Sequence, residues 1–134
     1  MPLLLEPTIT LIADMNFPHT LRDTLELAER TGLGVCVDVQ HCWSERDLRA
    51  TIRHAGALAG LVQISDWVPG NYHHFRAVPG DGAIPLERIL GWILETGYEG
   101  FFDLEVYPEP GVPETETISR AIERGGALLE RLGI

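Results

Sequence analysis

The chain has 134 residues, with twenty acids against ten bases and a formal charge of −10; every base is arginine and there is no lysine. That balance argues against a nucleic-acid partner, which would need clustered basic side chains on phosphates, and the missing lysine excludes Schiff-base catalysis. The length suits one hydrophobic core, so a single domain over 1–134 is expected. With no signal-like start and no apolar run near the ~20 residues of a bilayer span, the chain reads as soluble and cytoplasmic, with no membrane partner.

In chain order, LLLEPTI predicts a first strand near 3–9, followed by a loop with Asp14 and Asn16 that suits turns or substrate contact. Thr20 to Thr31 predicts a helix, with Thr20 and Asp23 as a near-capping box, Leu21, Leu25 and Ala28 as its apolar face, and Gly32 at its end. GVCVDV predicts a second strand near 34–39. Ser44 to Leu58 predicts the next helix, started by Ser44 and Asp47 and faced by Leu48, Ile52 and Ala55. The third strand falls near 60–65 in LAGLVQIS. An irregular stretch from Asp66 to Ala83 follows, long enough to suggest function; in it His73 and His74 form a pair considered as zinc ligands, and Asp66 reads as a cap or loop holder. Pro85 opens a helix with Leu86, Ile89, Leu90 and Ile93 on one face, ended near Gly97. GFFDLEV predicts a fourth strand near 100–106, and Pro113 opens a last helix to Leu132. Cys36 reads as core, Cys42 as near the site with nothing to mark it as a nucleophile, and both as reduced thiols.

Strict alternation of strands and helices predicts an α/β protein with a parallel sheet, either open and doubly wound or part of a barrel. Residues two apart on a strand share a face, so Leu4 goes with Glu6, Cys36 with Asp38, Leu61 with Gln63, and Asp103 with Glu105. Asp103 is expected to be buried below Glu105 and to need a partner. Glu6, Asp38, Gln63 and Glu105 therefore fall near the carboxyl ends of four strands, the end where such sheets place their sites. Three carboxylates and an amide oxygen converging there would repel one another without a cation. An oxygen-rich set favours a divalent metal of the Mn or Mg type, with Zn or Co also able to fit. Trp43 and Trp67, beside these positions, suit either the wall of a sugar pocket or packing at the rim.

Five segments carry a family resemblance: LEP at Glu6, D-x-x-H from Asp38 to His41, VQISD with Gln63 and Asp66, RAVPGDG from Arg76, and GYEGFFDLE ending at Glu105. Over nearly its whole length the chain resembles the sugar phosphate isomerase/epimerase family with a xylose-isomerase-like TIM barrel. The resemblance implies that Glu6, Asp38, Gln63 and Glu105 are metal ligands, and that His41 and Arg76 face a small sugar substrate, with Trp67 beside them. It implies further that Glu6 and Glu105 move protons and that His41 positions or polarises a substrate oxygen. Most relatives carry histidine where this chain has Gln63, and an amide oxygen binds a metal more weakly and accepts no proton.

A complete barrel takes ~250 residues. The resemblance aligns this chain with the fifth to eighth strands, so the expected fold is a parallel four-stranded (β/α)4 half of a TIM-type barrel. Open edges of such a half predict a homo-oligomer, or pairing with a missing N-terminal half-barrel. The expected function is a metal-dependent isomerase or epimerase acting on a sugar or sugar phosphate through an enediolate. A non-catalytic or truncated half-barrel scaffold and a polyol dehydratase of the same superfamily are the alternatives. The DNA-repair nucleases that share this fold need more histidine ligands and a basic channel, which this acidic chain lacks.

Overall fold

Val35 and Val37, Val62 and Ile64, and Phe102 and Leu104 alternate along their strands with Cys36, Gln63 and Asp103, so one face of the sheet is the more apolar and the one that needs cover. The computed structural model, which describes residues 2–10, 13–14, 16–70 and 76–134, has this architecture. Four strands, β1 (Leu4–Leu5), β2 (Gly34–Asp38), β3 (Ala59–Ile64) and β4 (Phe102–Leu104), form one parallel sheet in the order β1-β2-β3-β4. Five helices connect and follow them: α1 (Leu21–Thr31), α2 (Val39–Cys42), α3 (Leu48–Ala55), α4 (Leu86–Leu94) and α5 (Glu114–Arg131).

The helices lie on one face. Val35, Val37, Val62 and Ile64 of the sheet are buried against Leu21, Leu25 and Ala28 of α1, Ile52 and Ala55 of α3, and Leu86, Ile89, Leu90 and Ile93 of α4. These helical positions recur every three or four residues, so each helix presents a continuous apolar stripe to the sheet. Thr20 caps α1 as the sequence predicts, its Oγ1 accepting from the Asp23 N–H at 3.0 Å, and Gly32 ends the helix in the left-handed conformation at φ 72°.

Several boundaries differ from the pattern. β1 covers only Leu4–Leu5 and β4 only Phe102–Leu104, shorter than the spans near 3–9 and 100–106, so Glu6 and Glu105 stand just beyond the paired residues. The single helix expected from Ser44 becomes two: α2, one turn capped by Asp38, and α3, which starts at Asp47 in the left-handed conformation at φ 59° with no side-chain cap bond. Pro85 and Pro113 sit just before the first turns of α4 and α5 rather than inside them.

Among the described residues no helix covers the opposite face of the sheet. By alternation it carries Leu4, Gly34, Cys36, Asp38, Gln63, Asp103 and Glu105. Asp103, expected to be buried, is exposed, because no described element covers this face of β4; Phe101, of the same parity, is 83% exposed. At its other edge Leu4 fills a notch left by two glycines. A Cβ built at Gly34 would lie 2.6 Å from Leu4 Cδ2, and one at Gly60 2.7 Å from the same atom. The Leu4 side chain can lie across β2 and β3 because those positions lack side chains.

Candidate metal centre

The ladder register puts Asp38 beside Gln63 and Gln63 beside Asp103, while the Glu105 N–H donates to the Ile64 carbonyl at 3.1 Å and so extends the β3–β4 pairing. Asp38 is fully buried and does two things at once. Its Oδ1 accepts from the Gln40 N–H at 2.9 Å, starting α2, and its Oδ2 faces the centre of the site. The one-turn α2 then carries His41 back over Asp38, with Nε2 3.4 Å from Asp38 Oδ2 and 3.8 Å from Glu6 Oε1. Potential ligand atoms of Glu6, Asp38 and His41 all lie within 4.8 Å of one another.

Arg76 occupies the middle of this group. Its Nη2 is 2.7 Å from Asp38 Oδ2 and 2.9 Å from His41 Nε2, and its Nη1 is 2.9 Å from Glu105 Oε2. The guanidinium also lies 5.7 Å from the Tyr107 ring centre, and the Tyr107 N–H donates to the Arg76 carbonyl at 2.9 Å. An arginine ten residues into a long loop reaches this place because Asp66 fastens the loop. The Asp66 carboxylate accepts N–H bonds from Trp67 at 2.8 Å, Gly80 at 2.9 Å and Ile84 at 2.9 Å, while its backbone exchanges two 2.8 Å bonds with Ala77. A Cβ at Gly82 would collide with this carboxylate and with the Trp67 backbone. Pro79-Gly80 forms the expected tight turn, with Gly80 at φ 89° and the Asp81 N–H donating to Val78 O at 3.0 Å.

The electrostatics follow from crowding. Burial, then the neighbouring Asp38 and Glu105, raise Glu6 to about 7, with Arg76 opposing. Burial raises Glu105 as well; Arg76 opposes this, and Asp38 and Asp103 add to it. Burial lowers His41, against the pull of Asp38 and with the help of Arg76, so its neutral form is favoured. Burial works against the charge of Arg76, yet Asp38 and Glu105 hold its pKa above the ordinary value.

A stability signature follows for the metal-free protein. A carboxyl group whose folded pKa exceeds its unfolded value binds more protons when folded, so its stabilising contribution is complete below the unfolded value and lost as pH rises through the folded one. The melting temperature is therefore expected to fall between roughly pH 4.5, near the unfolded glutamate value, and about 7, the raised value of Glu6. Glu6→Gln should flatten that decline. The Glu6 side chain is 41% exposed, so solvent screens the effect and the shift should be modest. Melting curves of both proteins across that range check it; an equal slope in the two would remove Glu6 as its source.

The expected site residues thus fall into distinct positions. Glu6, Asp38, His41, Arg76 and Glu105 come together. Gln63 is adjacent, but its Oε1 accepts from the Cys36 thiol at 3.2 Å, so that oxygen is engaged below the carboxylates. Trp67 packs against Trp43, ring centres 5.7 Å apart, and both rest on the core. Cys36 is buried as expected, with its thiol toward Gln63, whereas Cys42, expected near the site, lies in the hydrophobic core. Asp14 and Asn16 are exposed. His73 and His74 lie outside the described residues. Tyr107 was missed, although its parity with Asp103 and Glu105 along FDLEVY was readable in the sequence.

The donor set suits a hard divalent cation. Burial is the main cause of the raised Glu6, and the neighbouring Asp38 and Glu105 add to it, so a cation among them would be favoured. Of these carboxylates, Glu6 and Asp38 have oxygens within 4.8 Å of one another and of a His41 nitrogen, close enough to share an ion. Gln63 would join them once its amide oxygen turned from Cys36.

Comparison with known proteins places these positions in context. A family model described as xylose isomerase-like TIM barrel matches residues 1–128. A provisionally named hydroxypyruvate isomerase of Streptomyces coelicolor (strain ATCC BAA-471 / A3(2) / M145) is 38% identical over 84 residues, covering 60% of this chain and 28% of that protein. Among solved structures, a protein from Sinorhizobium meliloti 1021 superposes with a TM-score of 0.79 at 30% identity, over 95% of this chain and 50% of its own. A D-psicose 3-epimerase from Clostridium cellulolyticum H10, solved with D-tagatose, gives 0.71 at 20% identity over 95% and 48%, a likeness of fold. The chain spans about half the length of these solved structures.

Proposed function

The chain belongs to the xylose isomerase-like TIM barrel family, and from that premise we propose that it is the metal-bearing half of an isomerase or epimerase acting on a sugar or a similarly small hydroxy-carbonyl compound. The four parallel strands correspond to half of the barrel of its structural neighbours. The observation that carries the proposal is the convergence of Glu6, Asp38 and Glu105 on one buried positive charge at the open end of the sheet. Gln63 is the fourth proposed ligand. A divalent cation bound there would polarise the substrate carbonyl and stabilise the charge of an enediolate.

The remaining steps belong to side chains. Glu6, which burial and its neighbours raise to about 7 in the metal-free protein, is the first proton carrier, and a cation bound beside it would lower that value. Glu105, on the other flank of Arg76, is the second proton carrier; two carboxylates on opposite sides of a planar intermediate allow a proton to leave one face and return to the other. His41, held neutral, presents a ring nitrogen to a substrate oxygen, and Arg76 supplies hydrogen bonds to oxygens beside the reacting carbon. Trp67 is proposed as a wall for the substrate on the rim.

The name of the Streptomyces relative suggests a three-carbon hydroxy-keto acid, and that of the epimerase a free ketose. Both reactions remove a proton beside a carbonyl, so the same residues serve either. The scaffold reading draws on one observation, that the chain spans about half of the solved structures it matches. Metal stoichiometry and molar mass measured together, followed by assays with ketoses, hydroxypyruvate and an inosose, separate the readings. One cation per chain in a homo-oligomer with turnover supports the enzyme, and dehydration of the inosose alone would reassign it as a dehydratase. A cation lost in Asp38→Ala but no turnover with any substrate favours the scaffold.

A further inference from the structure

Three of the chain's ten arginines border one groove between α3 and α4. It forms a cavity of about 600 Å³, continued by a smaller one of about 130 Å³ beside Glu95 and Thr96. The larger volume falls within the ~300–1,000 Å³ of small-molecule sites. Residues four apart on a helix share a face, so Arg49 and Arg53 line the groove from α3, and Arg88 and Trp92 from α4. Trp43 stands at the same groove, which puts two of the three tryptophans there, each half-buried. The acids nearby are engaged elsewhere or weakly held. Glu45 accepts the Leu21 N–H at 2.6 Å, Asp47 is 3.9 Å from Arg46, and Glu95 pairs with Arg49 at 2.8 Å between two exposed side chains, a pair that solvent makes weak. Arg53 and Arg88 make no ion pair with any described residue. Both helices also begin at this groove without a side-chain cap bond, α3 at Asp47 and α4 at Pro85, and their first N–H groups add partial positive charge.

We propose that this groove is a binding site for a mononucleotide, with the flat base against Trp92 and the phosphate oxygens on Arg53 and Arg88. Guanidinium forks match phosphate geometry, and an indole face stacks with any base. Trp92 is the tryptophan that lines both cavities, and it does so together with Arg49 and Arg53, so a base on its ring lies within reach of the guanidiniums. The acidic balance of the chain weighs against a long run of phosphates over its surface, whereas one or two phosphates need only this groove. None of Glu6, Asp38, His41, Arg76 and Glu105 lines it, so the nucleotide is separate from the substrate of the carboxylate site. Trp43 connects the two places. It borders the groove and packs against Trp67 with ring centres 5.7 Å apart, so a bound nucleotide would steady Trp43 and, through it, the rim of the carboxylate site.

The test titrates ADP into the purified full chain in buffer free of divalent ions, read by calorimetry and by quenching of tryptophan fluorescence. Arg53→Gln with Arg88→Gln should weaken both ADP and inorganic pyrophosphate by about tenfold or more, since two charge-assisted contacts are lost. Both side chains are exposed, so the fold is kept. Trp92→Leu should weaken ADP by about fivefold or more, the low end of what base stacking contributes, and leave pyrophosphate unchanged. Trp92 is half-buried, so Trp92→Phe, which keeps a smaller ring, serves as the second variant and should fall between the two. Glu105→Gln should bind ADP as the original chain does. No binding at millimolar ADP overturns the proposal, as does pyrophosphate binding as tightly as ADP, or a loss in Glu105→Gln as large as in the double arginine variant. A lower molar mass in that double variant, with no ADP bound by the original chain, would assign the groove to a second copy of the chain and overturn the proposal as well.

Discussion

Asp38→Ala is expected to destabilise the metal-free protein by about 3–5 kcal/mol and to abolish divalent-cation binding, because removing one member of a buried ion pair strands the other. Asp38 is fully buried and Arg76 nearly so, at 3% exposure, and the two are 2.7 Å apart. The substitution also removes the Oδ1 acceptor that starts α2, and with it the one-turn helix that brings His41 into the site. Urea unfolding reads the first effect and calorimetry with Mn²⁺ the second. Asp38→Asn separates them: it keeps an oxygen for the Gln40 N–H but no charge for Arg76, and should lie between the parent and Asp38→Ala. A loss below about 1 kcal/mol in Asp38→Ala, within the range of exposed ion pairs, would mean that Arg76 is well solvated without its partner.

The second large effect is chemical. Glu105→Gln should lower kcat by roughly a thousandfold, in the middle of the range for general acid-base groups, with the fold kept. An amide of the same shape still offers an oxygen to Arg76 Nη1, now 2.9 Å from Glu105 Oε2, but it cannot take a proton. The measurement is turnover of whichever ketose or hydroxy-keto acid proves active, with a melting curve to confirm that the variant is folded. Undiminished kcat would transfer the proton step to Glu6 alone.

The parts of the fold that could be read in advance were those with a period. Leu21, Leu25 and Ala28, or Leu86, Ile89, Leu90 and Ile93, repeat at helical spacing because each must reach the same sheet, and Val35 and Val37 alternate with Cys36 and Asp38 because the strand has two faces. The same alternation puts Cys36 on the face of Asp38, where its thiol meets Gln63. α2 escaped detection because four residues are too few to show a period. Its cap is Asp38, a residue already accounted for by the strand, so Ser44 looked like the natural start of a helix that in fact begins at Leu48.

The centre of the site was less legible than its rim. Glu6, Asp38 and Glu105 could be placed from strand parity, whereas Arg76 belongs to a loop whose path depends on a buried carboxylate ten residues earlier and on the close approach that Gly82 allows. The resemblance brought Arg76 toward the substrate, but nothing in its local sequence indicates that it lies among three acids at once. Gln63 is the reverse case. Its place in the ladder was clear, and the direction of its amide was not, because that depends on a thiol one strand away.

The notch that seats Leu4 bears on how this chain can diverge. A methyl group added at Gly34 or Gly60 would meet the far end of the leucine side chain at 2.6 or 2.7 Å, so Leu4 would have to turn aside or give way to a smaller residue before alanine fits at either glycine. A lineage that acquires alanine there is therefore expected to change position 4 in step, two residues before the first carboxylate. Joint variation of positions 4, 34 and 60 across distant sequences would test that coupling.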